Sequence, residues 1–168
     1  MAACQNSAPG DPSEYSCEEL WRRAARGTTA GAVILDEQGR VLLVKHSYGP
    51  LNWEIPSGAA ELDETPTETV LRDVREETGL TVNAEHLTGV YYERKGPGFE
   101  VLHFAFRCRL ENSAATPEPN SPEITQCGYW PLDALPRPIS DFTLRRIRDA
   151  VEGVPGLPVH VGERHILT

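Results

Sequence analysis

Between Thr65 and Gly79 the chain marks both ends of a helix, and whatever else it builds must pack around that segment. Thr65 supplies an N-cap oxygen, and Pro66 falls at the first helical position, where its missing N–H costs nothing. Glu68, three residues past the cap, closes a capping box. Gly79 suits the left-handed residue that ends a helix. The spacing predicts a helix starting at Pro66 and running about three and a half turns at roughly 3.6 residues per turn.

On that helix Asp73, Glu76 and Glu77 are three and four positions apart, so they share one face. Like charges so spaced cost an isolated helix about 0.2–0.5 kcal/mol per pair, and Arg72 and Arg75 offset this only in part. A divalent cation would turn the repulsion into ligation, and magnesium, a hard cation, takes carboxylates together with waters and phosphate oxygens. The alternative for an arbitrary acidic segment is a solvated helix face.

The pattern extends upstream: Gly58, five residues, Glu64, seven residues, Arg72, then Asp73-Val74-Arg75-Glu76-Glu77-Thr78-Gly79-Leu80. This resembles the signature box of the Nudix hydrolases at eight of nine defined positions and departs from it at Asp73, where the family carries Glu. The resemblance implies an α+β fold, an α/β/α sandwich with a mixed sheet, over about residues 28–152. It implies Mg2+ or Mn2+ held by Asp73, Glu76, Glu77 and Gly58, and metal-assisted hydrolysis of a diphosphate bond in a small nucleotide-type substrate. Arg72 and Glu64 are implied to pin the loop and orient the ligands, the alternative being a surface ion pair worth about 0–1 kcal/mol. Glu123, in the loop before a late strand, is the candidate for a further ligand or the base, and a solvated loop glutamate is the other reading. Glu76 or Glu123 would accept the attacking water's proton. Homodimers are common among relatives.

No glycine-rich Walker loop is present, so phosphate contacts fall to metal, backbone N–H groups and scattered cations such as Lys45, Arg94 and Lys95. No Ser-His-Asp or Cys-His arrangement suggests a covalent intermediate. The segment Glu54-Ile55-Pro56-Ser57-Gly58 is similar to the approach to the box in ADP-ribose pyrophosphatases, and Pro97 lies seventeen residues past Leu80, one beyond the proline spacing of that branch. Nucleoside triphosphates are an equal contender, with dinucleoside polyphosphates behind. A module that binds nucleotide or protein without turnover is the reading from a different class, because Asp73 shortens one ligand.

The rest reads as scaffold. TTAGAVIL and VLLVKH, around Asp36-Glu37-Gln38-Gly39-Arg40, predict a hairpin of two buried strands; Trp53–Pro56 predicts a short one. His86–Arg94 and Phe99–Leu110 predict a pair, and Cys127–Trp130 a last strand. On the second of the pair, Leu102, Phe104, Phe106 and Cys108 make the more apolar face, and His103 is a structural residue. Residues 111–122 form a loop. Asp141–Glu152, capped by Ser140 and stopped by Gly153, predicts a helix with Leu144, Ile147 and Val151 on its inner stripe. Ser16 and Glu19 open a short helix to Arg26 carrying Trp21, after a flexible lead-in over residues 1–14; residues 15–168 are expected to form one domain. Cys4, Cys17, Cys108 and Cys127 show neither zinc spacing nor a disulfide framework. With no basic-then-apolar leader, a cytoplasmic protein with free thiols is expected. The net charge of −9 argues against long nucleic acid or an anionic membrane as partner.

Overall fold

The two most apolar runs do become strands, but they part instead of pairing. In the computed structural model, which describes residues 27–96, 99–153, 159–161 and 164–168, β1 (Gly27–Ile34) and β2 (Val41–His46) belong to different sheets, with one isolated backbone bridge, Leu35 to Val41, where the chain passes from one to the other. The expected hairpin is therefore corrected. β6 takes β1 as a parallel neighbour, from Gly27 opposite Val101 to Ile34 opposite Cys108, while β2 turns away to pair antiparallel with β7.

Following β2 come β3 (Trp53–Glu54), β4 (Ser57–Ala59), helix α1 (Pro66–Thr78), β5 (Val82–Gly96) and β6 (Phe99–Leu110). Then follow β7 (Ile124–Trp130), β8 (Ile139–Ser140), helix α2 (Asp141–Glu152), β9 (Val159–Val161) and β10 (Ile166–Leu167). Two five-stranded mixed sheets result, ordered β4-β1-β6-β5-β9 and β10-β8-β3-β2-β7. The molecule is an α+β sandwich, with two sheets where one was expected. β5 starts at Val82, ahead of the expected His86, because register shifts along it keep it paired with β6. β7 likewise starts ahead of Cys127, at Ile124.

β1 shows why helices lie on both faces. Successive side chains of a strand point to opposite sides, and Ala30, Ala32 and Ile34 pack with Val70 and Val74 of α1, whereas Val33 packs with Ile147 of α2. All are at least 96% buried, and each valine or isoleucine so placed contributes roughly 1.5–3 kcal/mol. β6 is covered on both faces too. Its apolar side, Phe106, Cys108 and Leu110, faces the α1 cluster, while His103 and Ala105 on the other side are also buried. On α2 the expected stripe is shifted: Ile147 is buried but Val151 is exposed, and the inner face includes Phe142, Thr143, Arg146 and Asp149. Charged residues can lie there because each has a partner, Asp149 accepting from the Tyr91 hydroxyl at 2.8 Å.

Among the described residues no helix is long and apolar enough to cross a membrane. The lead-in, the helix with Trp21, Cys4, Cys17 and Pro97 lie outside the described residues. Cys108 and Cys127 are free thiols.

Candidate active site

Helix α1 begins and ends as the sequence requires. Thr65 Oγ1 accepts from the Glu68 amide at 3.3 Å, and Glu68 Oε2 accepts from the Thr65 amide at 2.9 Å. Gly79 closes the helix at φ 70°, with its N–H donating to Arg75 O. These caps fix which side chains meet β4.

Gly58 lies in β4, opposite Ala30 of β1, and α1 crosses so closely that a Cβ on Gly58 would stand 2.6 to 2.8 Å from the Asp73 carboxylate. Of the two reasons for a glycine here, close approach is the one at work, since its φ is not positive. Asp73 is buried, and its Oδ2 has no hydrogen-bond partner; Oδ1 accepts from Arg72 Nη1 at 2.6 Å. Burial pushes the Asp73 carboxyl up to about 6, with Glu76 and Glu64 adding to the rise and Arg72 opposing it. One helical turn on, Glu77 is buried as well, and its Oε2 accepts from the Ser57 amide at 3.1 Å. Burial pushes Glu77 up to about 9, and the charges of Asp73, Glu54 and Glu123 raise it further. Glu76 sits differently, its side chain 54% exposed and 3.2 Å from Arg72 Nη1.

Arg72 is the hub of the loop. Its Nε and Nη2 donate to the two Glu64 oxygens at 2.8 and 2.9 Å, and Nη2 also reaches Ala59 O at 2.9 Å. Glu64 is held down to about 2, first by these Arg72 bonds and then by the Glu61 amide. A bidentate pair that also ties β4 to α1 constrains the loop more than an isolated surface pair would.

Glu123 directly precedes β7, and its backbone oxygen accepts from the Ser47 amide at 2.7 Å, joining this loop to the end of β2. Its charge reaches Glu77, His46 and Tyr48. Lys45 is half-buried on β2, opposite Trp53 and Gln126, its ammonium 5.9 Å from the Trp53 ring centre. Arg94 and Lys95 are elsewhere: β5 is three strands over from β4, about 14 Å at the usual spacing. There Arg94 faces Tyr92 and Glu100, and Lys95 faces Glu93. His103 is enclosed between Thr29 and Glu93 at 2.7 and 2.9 Å, the structural role expected for it.

Glu54 is the site-side residue that sequence reasoning passed over. Its Oε1 accepts from the Ile55 amide at 3.0 Å, Thr143 Oγ1 at 2.7 Å and Arg146 Nη2 at 2.6 Å, and its charge is felt by Glu77. No local signal marked it: its partners Thr143 and Arg146, three apart on α2, lie off the Leu144–Ile147–Val151 stripe that periodicity points inward.

Among the described residues, no three His, Cys, Asp or Glu side chains converge within ligating reach as they stand; Arg72 and the Ser57 amide engage the acids instead. The donor chemistry nevertheless fits a hard cation. A buried carboxylate oxygen without a partner and a neighbouring carboxyl that burial keeps protonated are groups a dication would relieve.

The model of the NUDIX domain matches residues 25–150. A MutT-like protein of Streptomyces ambofaciens is 32% identical over 140 residues, covering 83% of this chain and 86% of its own. The 8-oxo-dGDP phosphatase NUDT18 of Homo sapiens is 33% identical over 111 residues, 64% of this chain but 33% of that longer protein. The fold is that of a MutT NUDIX hydrolase from Burkholderia pseudomallei, with a TM-score of 0.65 at 23% identity, over 74% of this chain and 98% of that one. Members of the family generally use divalent metal ions. With the box residues in place around Gly58 and a family match over three quarters of its length, the chain belongs to the NUDIX family and is a hydrolase of phosphorus-containing acid anhydrides.

Proposed function

We propose that this chain is a metal-dependent pyrophosphohydrolase that cleaves the diphosphate bond of a nucleoside diphosphate linked to another moiety, either ADP-ribose-like or a nucleoside triphosphate. The observation that carries the reading is the Asp73–Glu77 pair, two buried carboxyl groups one turn apart against Gly58, one of them with an unpartnered oxygen. Perturbed carboxyls beside a close-packed glycine are costly to a fold and mark a functional site. The phosphatase activity in the name of the human relative agrees in class.

In this reading Asp73, Glu76, Glu77 and the Gly58 carbonyl would hold Mg2+ or Mn2+, and the ion would supply positive charge against the phosphoryl oxygens and make the attacking water more acidic. The chain's own residues do the rest. Arg72 holds Glu64, Asp73 and Glu76 in one register, so the acids are oriented before substrate arrives. Glu123, exposed and close enough for its charge to reach Glu77, takes the attacking water's proton on its carboxylate, with Glu76 as the other candidate. Lys45, a half-buried cation at the end of β2, binds substrate phosphate. Arg94 and Lys95 would touch only a distal part of a long substrate, since they stand three strands from β4. Free thiols at Cys108 and Cys127 agree with a cytoplasmic protein, and a homodimer is the assembly we propose from the family.

The test is a panel of nucleotide conjugates with Mg2+ or Mn2+, read by release of nucleoside monophosphate. Turnover of at least one conjugate, lost on metal removal, is the expected result. If every conjugate survives while one binds, the chain is a nucleotide-binding module and the proposal fails.

A further inference from the structure

The acids of α1 and the glutamate that the proposed reaction pairs with them, Glu123, are far apart in the chain, and Glu123 is exposed on a loop. A general base has to sit within hydrogen-bond reach of the proton it takes, and a misplacement of about 1 Å can cost about a hundredfold in rate. Loops are the more mobile parts of a fold, so a base carried on one needs a brace.

The brace starts at the C-terminus of α1. The last four carbonyls of a helix have no partner within it, and residues 118–120 reach three of them. Thr78 O accepts from the Glu118 amide at 3.0 Å, Glu77 O from the Asn120 amide at 3.1 Å, and Arg75 O from Asn120 Nδ2 at 3.1 Å. Arg75 O already accepts from the Gly79 amide at 2.9 Å, so capping the helix does not require the Asn120 side chain. On the other side stands Ser47, just past β2: its amide donates to Glu123 O at 2.7 Å and its hydroxyl to Pro122 O at 2.9 Å. Between these two anchors the chain is short and stiff. Pro119 and Pro122 each lock one backbone angle. Ser121 closes the turn, its Oγ accepting from the Glu123 amide at 3.1 Å and its backbone oxygen from the Ile124 amide at 3.1 Å. Three residues separate Asn120 from Glu123, at most about 11 Å of chain.

We propose that Asn120 and Ser47 are positioning residues for the hydrolytic reaction: they clamp residues 120–123 between the end of α1 and the end of β2, and so fix the Glu123 carboxylate relative to the acids of α1. Both act through Glu123 and not on the substrate. The Asn120 side chain ties the loop to the same last turn of α1 that carries Glu76 and Glu77. The inference rests on the reading of Glu123 as the group that takes the attacking water's proton.

The experiment is steady-state hydrolysis by the full chain at saturating Mg2+, on whichever member of the nucleotide panel, ADP-ribose and dGTP included, is turned over fastest. Glu123→Gln should lower kcat about a hundredfold or more. Asn120→Ala should lower kcat about tenfold and leave KM within about twofold. In the Glu123→Gln background the same substitution should cost less than about twofold, because no base is left to misplace. Ser47→Ala should follow the same pattern by a smaller factor, and it decides the matter if Asn120→Ala does not fold. An equal loss in both backgrounds would place the effect on α1 or on the fold as a whole. That result, or full activity of both variants beside a slow Glu123→Gln, overturns the inference and leaves the base assignment standing. Unchanged turnover by Glu123→Gln would remove the base assignment and the inference with it, and a panel with no turnover would remove both together with the proposed function.

Discussion

Replacing Glu77 by Gln should make the protein more stable and far less active. Burial raises the Glu77 carboxyl from 4.5 to about 9, so between those values the folded chain keeps a proton that the unfolded chain releases. The native state then binds more protons, and by linkage stability falls as pH rises across that window. Each unit is worth about 1.4 kcal/mol, so at pH 7 the penalty reaches about 3 kcal/mol when no metal is present. Glutamine has the same shape, cannot ionise, and retains an oxygen for the Ser57 amide now bonded at 3.1 Å. In chelator, urea unfolding of Glu77→Gln against wild type should show no difference near pH 4.5 and a gain of about 3 kcal/mol near pH 7, or roughly 6–12 °C in melting temperature. With Mg2+ or Mn2+ present, hydrolysis should fall by orders of magnitude. A gain of equal size at both pH values, or a loss at pH 7, would refute the claim that Glu77 is held protonated by burial; unchanged turnover would remove it from the ligand set.

Gly58→Ala should cost about 1–3 kcal/mol by overpacking, because the added methyl falls 2.6 to 2.8 Å from the Asp73 carboxylate; thermal melts and turnover should fall together, and a neutral result would mean that β4 and α1 are farther apart in solution. Arg146→Met should destabilise by about 3–5 kcal/mol, since it leaves buried Glu54 without its 2.6 Å partner, and adding Glu54→Gln should recover much of that in chemical denaturation. His103, lowered to about 4 from 6.5 mainly by burial, stays neutral in the fold while the unfolded chain takes up a proton below 6.5. Stability should therefore decline on acidification from pH 6.5 to 4, by about 2–3 kcal/mol, and His103→Gln should flatten that limb of the pH–stability curve; an unchanged limb would rule out His103 as its source.

What could be read from the sequence was what is decided locally. The cap at Thr65, the proline behind it, Glu68 and the stop at Gly79 all act within one segment, and the helix they frame is the helix that forms. The parting of β1 and β2 is decided elsewhere. Their turn carries Gly39 at φ 75°, as a hairpin turn also does, but β6 claims β1 through partners some seventy residues away, and nothing in the turn signals that. Arg146 and Glu54 are 92 positions apart, so nothing local to α2 signals that its inner face carries a charge. Periodicity also placed Asp73, Glu76 and Glu77 together without ranking them. At about 100° per residue Glu76 and Glu77 fall on either side of Asp73, and β1 and β4 pack on the Val70–Val74–Glu77 side, which leaves Glu76 at the rim.

That ranking bears on the chemistry. The site divides into an outer half, where Arg72 neutralises Glu64 and Glu76 in contact with water, and an inner half, where Asp73 and Glu77 are desolvated with one shared cation at most. Only the inner half is unstable by itself: its carboxyls are held above their ordinary range, and one oxygen has no donor. A shorter side chain at position 73 belongs to this half. Gly58 has no room for a larger neighbour, since even a methyl there would collide with the aspartate. The glycine and the aspartate thus limit each other, and restoring glutamate at position 73 should press on the β4 backbone or turn the carboxylate toward the rim, where Arg72 already takes the outer acids.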